Sequence, residues 1–151
     1  MTARLNPFTT SSNLMQLLIE FGTKVAAAGL EKSMVELVKI RASQINGCAV
    51  CLHMHTREAR NDGETEERLF MLDAWRESSL YTARERAALA WTESLTLVAT
   101  TRAPDEVYLE VKAHFSDEES IQLSMMINVI NCFNRLGVGY RRSPVGERSA
   151  V

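Results

Sequence analysis

Apolar positions recur at helical spacing along nearly the whole chain. Between Asn13 and Leu30, the residues Leu14, Leu17, Leu18, Phe21 and Val25 form one stripe, which predicts an amphipathic helix with that stripe buried. Glu31 to Asn46 follows with Met34, Leu37, Val38 and Ile45 as its inward face. Gly47 interrupts, and a further helix is expected from Cys48 to Asn61, where Asp62-Gly63 is a stop signal. Glu64 to Arg76 reads as a shorter helix. Thr82 with Glu85 forms a capping box that opens a long helix to about Thr100. Pro104 suits a first helical position, and Asp105 and Glu106 suit the positive end of a helix. Ser116 with Glu119 is a second capping box, starting a last helix to about Leu136 that Gly137 and Gly139 end. Sustained alternation bounded by turn residues is missing, so strands are not expected. The pattern predicts an all-α protein, one domain over residues 1–151, with a core about 13–140 and a loose tail at 141–151.

Composition narrows the function classes. Apolar residues make up 46% and charged residues 24%, an ordinary globular balance. Seventeen basic and 19 acidic residues leave a net charge of −2, which gives no footprint for nucleic acid or an anionic membrane. No stretch approaches the roughly 20 apolar residues that span a bilayer. Met1 to Phe8 lacks the basic start and apolar run of a secretory leader, so the expected location is cytoplasmic. Three cysteines, an odd number with two close together, do not suit a secreted disulfide framework and point instead to redox or metal chemistry.

The two close cysteines lie in Asn46-Gly47-Cys48-Ala49-Val50-Cys51-Leu52-His53-Met54-His55. On a helix starting after Gly47, Cys48 and Cys51 are one turn apart on one face, with His55 a turn further along it. His53 points nearly the opposite way. A thiolate is the reactive form of cysteine, and free Cys ionises near pH 8.5 or so, so it needs help at neutral pH. Unpaired N–H groups at the helix start stabilise a thiolate, and His55 can take the thiol proton. Two cysteines one turn apart can also close a disulfide, so a sulfenic acid on one is resolved by the other.

Glu36 extends the cluster. If the helices flanking Gly47 fold back antiparallel, Glu36 lies eleven positions before the turn and His55 eight after it. At about 1.5 Å per residue the mismatch is roughly 4–5 Å, so Glu36 can reach the His–Cys cluster.

Glu36, Cys48, Cys51 and His55 make the pattern Glu-x11-Cys-x-x-Cys-x-x-x-His. It resembles the alkylhydroperoxidase D-like (AhpD-like) branch of the carboxymuconolactone decarboxylase family. The stretches Glu36 to Cys48, Ala83 to Trp91 and Ile127 to Arg135 are similar to that family's core and closing helix, and the resemblance runs from about Asn13 to Tyr140. It implies an all-α domain of about six or seven helices with the cysteine pair at a helix N-terminus. It also implies a homo-oligomer (dimer, trimer or hexamer) and an enzyme, a thiol-dependent peroxidase that reduces hydroperoxides. Cys51 would attack the peroxide, deprotonated through His55 and Glu36. Cys48 would resolve it and exchange with an external dithiol, typically a lipoylated protein. Decarboxylases of the family lack the cysteine pair, which disfavours decarboxylation. The best-known member has a second histidine between the cysteines where this chain has Val50, so proton delivery must differ.

The cluster also suits other readings. One is a redox sensor or stress-response partner that forms the disulfide without turnover. A structural zinc module from Cys48, Cys51, His53 and His55 is weaker, because zinc usually takes two separated ligand pairs and His53 is on the wrong face. No cofactor or metal is expected. Among the remaining residues, His114 reads as a C-terminal cap or surface group, and Cys132, among Met125, Met126, Ile130 and Phe133, as core. Trp75 and Trp91 read as packing residues.

Overall fold

The computed structural model describes residues 2–144. They are helical, without strands, in the order α1 Pro7–Thr10, α2 Ser12–Ala26, α3 Lys32–Asn46, α4 Ala49–Asn61, α5 Glu66–Met71, α6 Ala83–Thr96, α7 Val98–Thr101, α8 Asp105–His114 and α9 Asp117–Gly139. A single 3-10 turn, Leu72–Ala74, follows α5 directly. The tail expected from Arg141 falls, from position 145 on, outside the described residues.

Helix α3 is the hub, packing against α4, α6 and α9. Met34, Leu37 and Val38 are buried as the pattern requires, and Val35, Ile40 and Ala42 are buried too, so α3 is enclosed on nearly every side. One side of it joins Leu123, Met126 and Ile127 of α9 and Ala87 and Ala88 of α6. Its other side joins Leu69, Leu72, Trp75 and Leu89. Both predicted capping boxes are present: Thr82 and Ser116 each accept from the backbone N–H three residues on, and Glu85 and Glu119 close the reciprocal bonds. Three arginines tie the periphery down. Arg41 joins Glu93 and Asp73, Arg68 joins Glu64 and Glu85, and Arg84 joins Glu31 and Glu119.

Four expectations need correction. The apolar stripe of α2 is not core: Leu14, Leu17 and Phe21 are 61%, 62% and 41% exposed, while Met15 is buried. The periodicity identified a face but could not say that α9 takes the adjacent one, where Gly22 approaches Val129 and Phe133. The helix begun at Thr82 is not continuous to Thr100; it stops at Thr96, and Leu97 separates it from α7. Helix α9 runs through Gly137 instead of ending there. Cys132 is exposed, because the buried faces of α9 are taken by Asn131, Asn134 and their neighbours.

Candidate active site

The site is built at the elbow between α3 and α4. Gly47 caps α3 at φ 65°, ψ 35°, a left-handed conformation that costs glycine little and reverses the chain within one residue. Cys48 is then the N-cap of α4 and Cys51 its third residue. The two are joined as a disulfide, with Cα atoms 5.4 Å apart. The N–H groups of the first turn of α4 lack intrahelical acceptors and surround the pair with partial positive charge.

A buried polar network fixes this elbow. Asn46 Nδ2 donates to Asn131 Oδ1 and Asn134 Oδ1, both at 2.9 Å, and to the Ala42 carbonyl at 3.0 Å. Asn134 Nδ2 donates to Ser43 Oγ, and Asn131 Nδ2 to Thr96 Oγ1. The last turn of α3 is thereby bonded to α9 through groups that burial leaves no water to replace. Behind the disulfide, a Cβ on Gly137 would lie 2.7 Å from Cys48 Sγ and 3.2 Å from Val50 Cγ1. Any side chain there would meet the sulfur, which accounts for a glycine in the last turn of α9.

Cys51, His55 and Ala59 lie one turn apart along the buried face of α4. Glu36 reaches this face from α3, as an antiparallel hairpin allows. Its Oε2 lies 3.1 Å from His55 Nδ1, and its Oε1 accepts from Lys39 Nζ at 2.8 Å. Glu58, one turn beyond His55, brings its own Oε2 to 2.9 Å from the same Nδ1. Two carboxylates on Nδ1 require the proton there, which leaves Nε2 as the basic nitrogen of the neutral ring. Burial alone would raise the Glu36 carboxyl, but the hydrogen bonds from His55 and Lys39 outweigh it and hold it below the ordinary carboxylate range. Glu36 is buried while the Glu58 side chain is half exposed, so the ring links an interior carboxylate to one in contact with solvent.

Cys51, His55, Glu36 and Glu58 share one cavity of about 720 Å³ between α2, α3, α4 and α9. That size is typical of small-molecule sites, which run from about 300 to 1,000 Å³. Ile19, Val35, Val50, Met54, Val129 and Phe133 line it, and Lys32, Lys39 and Arg142 stand among them. Phe8 closes one end under the guanidinium of Arg142, 4.3 Å above its ring. Arg4 secures that end by donating to the carbonyls of Tyr140 and Gly139.

All four residues singled out in the sequence are thus brought together, and His53 lies apart on the exposed side of α4. Sequence reasoning missed Glu58 and Gly137. Glu58 carried a usable signal, its position three residues past His55 on a helix. Gly137 carried none, since a glycine near a helix end looks like a stop. Among the described residues, Glu36, His55 and Glu58 are the group whose ligand atoms, all within 4.8 Å, are close enough to hold a metal ion. As the site stands, Lys39 neutralises Glu36 and the imidazole bonds both carboxylates, an arrangement that already suits proton handling.

The model of the carboxymuconolactone decarboxylase family matches residues 12–94, which hold the elbow, both cysteines, His55 and Glu36. The chain belongs to the carboxymuconolactone decarboxylase family. Within that family it is AhpD-like. Its sequence is 37% identical over 99% of both chains to the uncharacterized protein YdfG of Bacillus subtilis. Its structure is similar, at TM-score 0.92 and 41% identity, to a protein of unknown function from Agrobacterium tumefaciens that was provisionally assigned as the antioxidant defence protein AhpD; the match covers 95% of this chain and 99% of that one. The debrominase Bmp8 shares the fold at TM-score 0.79 and 16% identity, over 92% of this chain and 75% of its own. A shared fold does not fix the reaction, so this chain's own chemistry must be argued from its site.

Proposed function

We propose that this chain is a thiol-dependent peroxidase that reduces organic hydroperoxides through the Cys48–Cys51 pair. The observation that carries the reading is the placement of Cys51 and the His55–Glu36 pair on the wall of one largely apolar cavity. In the reduced enzyme, Nε2 of His55 takes the Cys51 proton. The thiolate attacks the terminal oxygen of the hydroperoxide, the O–O bond breaks, and Cys51 becomes a sulfenic acid while an alkoxide leaves. The proton held on His55 goes to that alkoxide, giving an alcohol. Cys48 then attacks the sulfenic sulfur, expelling water and forming the disulfide. A dithiol restores both thiols and leaves as its own disulfide.

Glu36 orients the imidazole and stabilises its protonated form. Glu58, touching both Nδ1 and solvent, supplies the exchange route that a second histidine between the cysteines would otherwise offer. Val50, at that position, extends the apolar wall, which favours a hydroperoxide with a hydrocarbon body. The reading includes a lipoylated protein as dithiol donor, a cytoplasmic setting in which such a donor is kept reduced, and a homo-oligomer, for which the exposed stripe on α2 is the support. Among the described residues no helix is long and apolar enough to cross a membrane.

The test is hydroperoxide consumption coupled to dihydrolipoamide. The expected result is many turnovers per chain in the wild type and in Cys132→Ser, and none in Cys51→Ser. A disulfide that forms under peroxide without turnover would make the chain a redox sensor instead.

A further inference from the structure

The two sulfurs of the disulfide are placed differently. Cys51 lines the cavity and is 4% exposed; Cys48 is 1% exposed, does not line it, and is backed by Gly137. Cys48 is also the N-cap of α4, and its side chain takes no capping hydrogen bond in the disulfide. A thiolate released there would occupy the position from which an N-cap side chain accepts the N–H groups of Val50 and Cys51.

We propose that reduction, like oxidation, takes place at Cys51 through the same cavity, with Cys48 as the leaving thiolate. This rests on the disulfide being the oxidised state of the enzyme read above, and it reverses the expectation that Cys48 exchanges with the external dithiol. The first thiolate of the dithiol attacks Cys51 Sγ. The Cys48–Cys51 bond breaks, a mixed disulfide forms on Cys51, and the electron pair stays on Cys48 Sγ at the helix N-terminus. The second thiol of the donor then attacks its own sulfur in the mixed disulfide, releasing Cys51 as a thiolate and the donor as a cyclic disulfide. A low-pKa leaving thiol speeds such exchange, and access decides which sulfur is attacked. Both criteria point the same way here. The donor must then present its dithiol on a slender, largely apolar arm, since a cysteine lying flat on a protein surface does not reach the cavity wall. Hydroperoxide and dithiol must also exclude one another.

The test uses the full oxidised chain and benzyl mercaptan, a monothiol that cannot complete the second step. After brief reaction, acid quench and alkylation of the released thiol, fragmentation of the tryptic peptide 42–57 locates the adduct. The expected result is the benzyl adduct on Cys51 and the alkyl label on Cys48, by about tenfold or more over the reverse. An adduct mainly on Cys48, or shared evenly, overturns the proposal. In steady state, excess dihydrolipoamide is expected to inhibit competitively against hydroperoxide; inhibition that hydroperoxide cannot relieve also contradicts it. Adduct mapping needs no hydroperoxide, so it stands apart from the peroxidase reading. Turnover can fail while the adduct sits on Cys51, and turnover can succeed with the adduct on Cys48.

Discussion

The elbow at Gly47 and the helix α2 are held in opposite ways. Around the elbow nearly every group is fixed twice: Asn46 by Asn131 and Asn134, Glu36 by His55 and Lys39, and Cys48 by its disulfide and Gly137. Helix α2 packs on α9 along one side and leaves Leu14, Leu17 and Phe21 in solvent on another. The difference separates two uses of apolar and polar residues. Buried polar groups that satisfy one another specify a single geometry, which a reacting pair of sulfurs needs. An exposed apolar stripe specifies nothing within its own chain.

Substitutions should therefore cost much at the elbow and little on α2. Leu37→Ala, on the fully enclosed face of α3 that packs against Leu69 and Leu72, is expected to lose about 2–5 kcal/mol in denaturant unfolding. Asn134→Ala removes an acceptor from Asn46 and a donor from Ser43, for an expected loss of about 1–3 kcal/mol. Gly137→Ala places a methyl group against Cys48 Sγ and should cost about 1–3 kcal/mol. Because that methyl displaces the sulfur, the rate of disulfide closure under peroxide should fall as well. A Gly137→Ala protein with wild-type stability and closure would show the elbow to be looser than described.

Acid titration probes the same region more gently. The folded Glu36 carboxyl sits below its unfolded value, so its contribution is present above the ordinary carboxylate range and lost as pH falls through the folded value. The stability gap between the wild type and Glu36→Gln should be widest near neutrality and narrow in acid. A gap that widened as pH fell would reverse the assigned direction. The smallest effect belongs to α2, where Leu17→Gln is expected to change unfolding free energy by no more than about 0.5 kcal/mol at concentrations where the chain is monomeric.

The same contrast explains what the sequence made legible. Capping boxes at Thr82–Glu85 and Ser116–Glu119, and the turn at Gly47, are local devices whose partners lie within four residues, so they can be read directly. Glu36 and His55 could be paired because one tight turn leaves few ways to fold the flanking helices. The α2 stripe could not be placed, since periodicity shows that a face exists and says nothing of what covers it. Cys132 was misplaced for a related reason: α9 is apolar around much of its circumference, and tertiary packing alone chose Asn131 and Asn134 for the interior. Glu58 and Gly137 act through contacts with a ring nitrogen and a sulfur, which show only when the site is assembled.

The proposed chemistry depends above all on Cys51 being the activated thiol. The direct measurement is the pH dependence of iodoacetamide alkylation in the fully reduced chain, resolved by cysteine through peptide fragmentation. Cys51 is expected to be alkylated first, with a midpoint well below the value of about 8.5 for a free thiol. Preferential alkylation of Cys132, or an ordinary midpoint at Cys51, would contradict it.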